Sequence, residues 1–157
     1  MNFPPGQVVA VCLSSGGIPR HPVESAQLSV GGFENDGHRY DEHYAPQRAV
    51  TLFNQEILDR FEPDAEAFPS GSVGENITLR GINLGDLEIG TRLLIGEAEI
   101  QLEKRWKPCH AKNAETCYSR VNEREHLGFF ASVVRPGMIR GGDTIQVVAH
   151  SGGDQQG

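Results

Sequence analysis

The sequence predicts a single mainly β (α+β) domain, a closed or nearly closed β-barrel with a few short helices. Glycine is abundant, 19 residues interspersed among short apolar runs, which favours many turns over long helices. The apolar runs recur at short intervals with no βαβ rhythm, which favours a barrel over a doubly wound sheet. At 157 residues the chain is the size of one domain. The domain is expected over residues 1–149, and the polar, glycine-rich residues 150–157 are expected to form a flexible tail.

The elements follow in order. Gln7 to Leu13 is valine-rich, as a strand buried on both faces would be, and Ser14-Ser15-Gly16-Gly17 ends it. A second strand is expected over Ala26 to Val30, before Gly31-Gly32. The polar stretch from Phe33 to Pro46 is too long for a simple turn, and long ordered loops often carry function. Ala49 to Phe53 reads as a short strand. Asn54 suits the N-cap of a helix that would place Ile57, Leu58 and Phe61 on one face, and Glu62-Pro63-Asp64 would stop that helix. A strand over Ile77 to Leu79 follows Gly74-Glu75-Asn76. Thr91 to Ile95 and Ala98 to Leu102 form a hairpin around Gly96-Glu97. Trp106 to Ala114 is irregular, and Ser119 to Leu127 suits a modest helix. Phe129 to Val134 and Thr144 to Val148 are strands joined through turns at Pro136-Gly137 and Gly141-Gly142-Asp143.

Composition narrows the function. The formal net charge of −7 has the wrong sign to attract a phosphate backbone, so no nucleic-acid partner is expected and any anionic ligand needs a local positive cluster. No stretch approaches the roughly 20 apolar residues of a membrane span, and the first residues lack the basic and apolar regions of a signal peptide. A cytoplasmic protein without membrane partners is the expectation. Cys12, Cys109 and Cys117 are an odd set with no C-x-x-C pair, which disfavours both a disulfide framework and structural zinc. Phosphate-loop, nucleophile-elbow and dinucleotide fingerprints do not occur.

Chemistry concentrates around Cys109. All three lysines, Lys104, Lys107 and Lys112, lie within a few residues of it, joined by Arg105 and His110. Such a setting favours the thiolate, which binds soft metals and attacks sulfur. The same pattern also suits a solvated charged face beside a buried thiol, and charge alone leaves both open. Cys12 reads as a core residue in an apolar strand, and Cys117 as structural, with a resolving thiol as the alternative. A second group, Asp36, His38, Arg39 and His43 with Arg48 beyond, suits a substrate loop or an anion site, while its histidine spacing is a weak metal signal. Hydrogen bonds that shape the loop are the plainer alternative. The third is Gly74-Glu75-Asn76, whose amide suits a heterocycle edge as well as a turn.

Taken together, Ser15-Gly16-Gly17-Ile18-Pro19-Arg20, the segment ending Pro46-Gln47-Arg48-Ala49-Val50, Ser72-Val73-Gly74-Glu75-Asn76-Ile77-Thr78-Leu79 and Pro108-Cys109 resemble the MOSC domain. That domain forms the C-terminus of molybdenum cofactor sulfurases and occurs in small stand-alone bacterial proteins. The order and spacing match over nearly the whole chain, to Gly142-Asp143 before the last strand. Where relatives often read His-His-Gly-Gly-Pro, this chain has His43-Tyr44-Ala45-Pro46.

The resemblance implies a barrel whose Pro-Cys cysteine works, either ligating the molybdenum of a molybdopterin cofactor or carrying sulfur. It assigns Cys109 that role and places Arg48 and Asn76 near the cofactor. Lys104, Arg105, Lys107 or Arg48 would neutralise its phosphate, and His110 is a further cofactor-binding candidate. Related proteins reduce N-hydroxylated compounds, so the first expectation is an oxidoreductase acting on a small molecule with a separate electron donor. The alternative is a sulfur carrier or cofactor-handling module with a persulfide on Cys109, supplied by a separate pyridoxal-phosphate-dependent sulfur donor. A binding module without chemistry is a third reading.

Overall fold

The computed structural model describes residues 4–13, 21–34, 49–60, 75–106 and 128–150. Among them are eleven strands: β1 (Gly6–Leu13), β2 (His21–Val23), β3 (Ser25–Ser29), β4 (Gly32–Phe33), β5 (Val50–Asn54), β6 (Ile77–Arg80), β7 (Thr91–Ile95), β8 (Ala98–Trp106), β9 (Gly128–Arg135), β10 (Gly137–Arg140) and β11 (Thr144–His150). Helix α1 (Gln55–Arg60) and a 3-10 turn at Leu84–Asp86 complete the described elements.

Seven strands close into a barrel in the order β11-β7-β8-β9-β5-β6-β1, with β11 returning to β1. All neighbours are antiparallel except β5 and β6, which run parallel in the register Leu52 to Ile77. The closing seam is short: Gly6 and Gln7 pair with Ile145 and Thr144, and Val8 exchanges backbone bonds with Asp143 and Gly142, each 2.8 Å. Strand β2 extends the sheet beside the end of β1. The three-stranded sheet β10-β3-β4 forms a separate ladder, joined to the barrel where the Glu97 N–H donates to the Met138 carbonyl at 3.1 Å, and shares the core.

Alternation decides what faces inward. Val50 and Leu52, Ile77 and Leu79, Leu93 and Ile95, Ile100 and Leu102, and Phe129 and Ala131 meet inside the barrel, joined by Leu28, Phe33 and Ile139 of the smaller sheet. Beyond β6, Ile82, Leu84 and Leu87 join the same core. Their segment lies across the barrel end where β5, β6 and β8 finish, tied there by the Asn54 amide to the Ile82 carbonyl at 2.7 Å and the Leu84 N–H at 2.9 Å.

The barrel, the Gly96-Glu97 hairpin and the strands near residues 7, 26, 50, 77, 129 and 144 match the expectation. Three strands were not foreseen. Strand β2 contains Pro22, which suits an edge with one neighbour, and β4 is only two residues long. Strand β10 occupies what read as a connection between turns, because its partner β3 lies far away in sequence. Asn54 does precede α1, but its side chain bridges to the 82–84 segment and to Glu56 Oε1 at 3.1 Å. Strand β8 runs on to Trp106, past the expected end at Leu102, and β11 includes His150. Phe61, the expected helix over 119–127 and residues 151–157 lie outside the described residues.

Candidate functional site

The wall formed by β5 and β6 is buried on both of its faces. Every residue of β5 is buried, including Thr51 and Phe53, which alternate with the inward Val50 and Leu52. Helix α1, with buried Ile57 and Leu58, packs against this wall. Polar groups placed there must find partners inside the protein.

They do so through Asn76, which is 1% exposed. Its Oδ1 accepts from the Thr51 N–H at 3.1 Å and the Thr51 hydroxyl at 3.3 Å, and its Nδ2 donates to the Cys12 carbonyl at 3.2 Å. Its own N–H donates to Thr51 at 2.9–3.0 Å, and its carbonyl accepts from the Cys12 N–H at 2.7 Å. One amide thus laces three adjacent strands where the register between β5 and β6 begins. Next to it the fully buried carboxyl of Glu75 accepts from the Thr78 hydroxyl at 2.7 Å.

Arg105 is engaged in a comparable way. Nη1 donates to the Leu84 carbonyl at 3.1 Å, Nη2 donates to the Leu87 carbonyl, and the guanidinium lies 4.3 Å from the centroid of the Phe129 ring. These bonds tie β8 and β9 to the segment across the barrel end. Lys104 lies on the other side of β8 and is exposed. It pairs with Phe130, which pairs with Thr51, so Lys104, Phe130, Thr51 and Asn76 form one cross-strand row. The Trp106–Gly128 pair lies two residues further along β8, about 7 Å at strand spacing.

The framework also brings several predicted segments to common anchor points. Val11 and Leu52 both pair with Ile77, so Leu13, Ala49 and Glu75 are neighbours at one end of β1, β5 and β6. Residues 14–20, 35–48 and 61–74 attach there in sequence. The 107–127 segment starts and finishes at the Trp106–Gly128 pair, toward the opposite end.

Of the expected site residues, Asn76, Lys104 and Arg105 are therefore placed. Cys109, Lys107, His110, Arg48, Asp36, His38, Arg39 and His43 lie outside the described residues, as do Lys112 and Cys117. Cys12 is fully buried, as expected of a core residue. Among the described residues there is no group of three or more histidine, cysteine, aspartate or glutamate side chains suited to a metal, and no helix long and apolar enough to cross a membrane. Sequence reasoning missed Thr51 as the partner of Asn76. The available signal was a hydroxyl in the otherwise apolar run from Ala49 to Phe53.

The barrel agrees with comparison to known proteins. The MOSC domain model matches residues 39–146, so the chain belongs to the MOSC domain family, which is associated with molybdenum cofactor binding. The chain is 26% identical over 140 residues to the uncharacterized protein YflK of Bacillus subtilis strain 168, a match covering 85% of this chain and 63% of that one. It is 25% identical over 115 residues to protein YiiM of Escherichia coli strain K12, covering 68% and 51% respectively. The chain thus spans less than two thirds of the length of these relatives. Its fold is similar to that of the YuaD protein from Bacillus subtilis, with a TM-score of 0.74 at 16% identity over 92% of this chain and 96% of that one.

Proposed function

We propose that the chain binds a molybdenum cofactor and acts as an oxidoreductase on small N-hydroxylated substrates, with the Cys109 thiolate as the molybdenum ligand. The observation that carries this reading is the family match, which runs through Arg48, Asn76, Lys104 and Cys109 in one span. The donor set fits the group chemically. A soft thiolate suits molybdenum, and exposed Lys104, with Lys107 and Arg48, suits the phosphate of the pterin.

The cofactor, when bound, would supply the redox chemistry. This chain's residues would bind and orient it, through the Cys109 sulfur and through positive side chains that neutralise the phosphate. Arg105 and Asn76 are also engaged within the fold: the first holds the Leu84 and Leu87 carbonyls, and the second holds Thr51 and Cys12. In this reading the lysines and Arg48 neutralise the phosphate. Electrons would come from a separate donor protein.

The test is the molybdenum content of protein purified from cells that make the cofactor. Near one-to-one metal in the wild type and its loss in Cys109→Ala are expected. Equal metal in the two proteins contradicts the ligand assignment. A metal-free wild type whose Cys109 gains the mass of one reducible sulfur replaces cofactor binding by sulfur carriage.

A further inference from the structure

The 107–127 segment departs from β8 after Trp106 and rejoins β9 at Gly128, and these two residues are paired. Immediately inside that pair, Arg105 is paired with Phe129 across the strands, and its guanidinium lies against the Phe129 ring at 4.3 Å. The same guanidinium donates one nitrogen to the Leu84 carbonyl and another to the Leu87 carbonyl. The Leu84 carbonyl also accepts from the Leu87 N–H at 3.1 Å, and Phe129 is fully buried. One planar cation thus joins both legs of the stem to the turn that lies across the barrel end.

We propose that Arg105 is a positioning residue for Cys109, acting as a fork that clamps the stem of the cysteine-bearing segment rather than as a charge offered to cofactor phosphate. This rests on the reading of Cys109 as the working thiol, four residues further along the chain. The geometry calls for arginine specifically. Two donors fixed in one plane reach two carbonyls while the flat face covers a ring, and a lysine ammonium does not reproduce that arrangement. A charge that met phosphate would tolerate lysine far better.

The experiment compares wild type, Arg105→Lys and Arg105→Gln, purified from cells that make the cofactor. Molybdenum per protein is measured, together with the rate of Cys109 alkylation by iodoacetamide at one fixed pH, resolved by peptide mass, with buried Cys12 as the internal control. Far-UV circular dichroism and thermal unfolding verify the fold. Both variants are expected to lose molybdenum occupancy to a similar extent, roughly tenfold as for groups that orient metal ligands, and to alter Cys109 alkylation several-fold. Wild-type values in Arg105→Lys with loss in Arg105→Gln would show that charge is what matters and overturn the clamp; wild-type values in both would overturn it as well. If the wild type itself holds no molybdenum, the cofactor reading fails separately, and alkylation alone decides the clamp. Should the Arg105 variants not fold, Phe129→Leu, which keeps an apolar side chain but removes the ring, is expected to alter Cys109 alkylation several-fold, and an unchanged rate would overturn the proposal.

Discussion

Asn76 shows how a single side chain can set strand register. Its amide is the shared partner of the Thr51 N–H, the Thr51 hydroxyl and the Cys12 carbonyl, all on a wall closed to water. Truncation would leave those groups without their partner in a region where each such loss costs about 1–3 kcal/mol. Asn76→Ala is therefore expected to lower stability by roughly 2–4 kcal/mol in urea unfolding. A loss within 0.5 kcal/mol of zero, the range of ordinary surface changes, would contradict the bracing role. Gly-Glu-Asn at a strand start was legible as something special, but sequence could not distinguish a ligand contact from a brace. The bracing depends on Thr51, 25 residues away in the chain. Arg105 teaches the same lesson, since four neighbouring cations look alike until the backbone directs Lys104 outward and Arg105 toward Leu84 and Leu87.

At the scale of elements, strands with continuous apolar patterns and tight turns were readable. The β7–β8 hairpin was expected with its Gly96-Glu97 turn, and Gly96 has the positive φ of 57° that such a turn favours. Strands whose stability comes from partners were not readable: β10 is four residues beginning at Gly137 and followed by Gly141, and it pairs with β3, far away in sequence. The close fit at its start gives a test. A Cβ at Gly137 would stand 2.5 Å from the Glu97 carbonyl oxygen, a backbone atom fixed by the hairpin. Gly137→Ala is expected to cost about 1–3 kcal/mol, seen as a lower thermal midpoint, by overpacking the junction between the small sheet and the barrel. An unchanged midpoint would mean that β10 shifts freely and is not locked to the β7–β8 turn.

For the whole molecule, closure is uneven. Strands β8 and β9 pair from Glu99 to Trp106, whereas β1 meets β11 only at Gly6 and Gln7, supplemented by the Val8 bonds to Asp143 and Gly142. Local opening is easiest where fewest bonds must break. The amides of Val8 and Gly142 are expected to exchange faster with solvent than those of β8 and β9 in native-state hydrogen exchange. Equal protection would contradict a seam that opens before the rest.

The barrel was legible from glycine-punctuated apolar runs because they encode alternation and turns. The histidine loop and the Cys109 segment were legible as chemistry from residue type alone, and their placement lies outside the described residues. The central claim is that this barrel presents Cys109 to molybdenum, and X-ray absorption at the molybdenum edge tests it most directly. Wild-type protein is expected to show one more sulfur neighbour than the pterin dithiolene alone supplies. Molybdenum bound with only the dithiolene sulfurs would contradict the account.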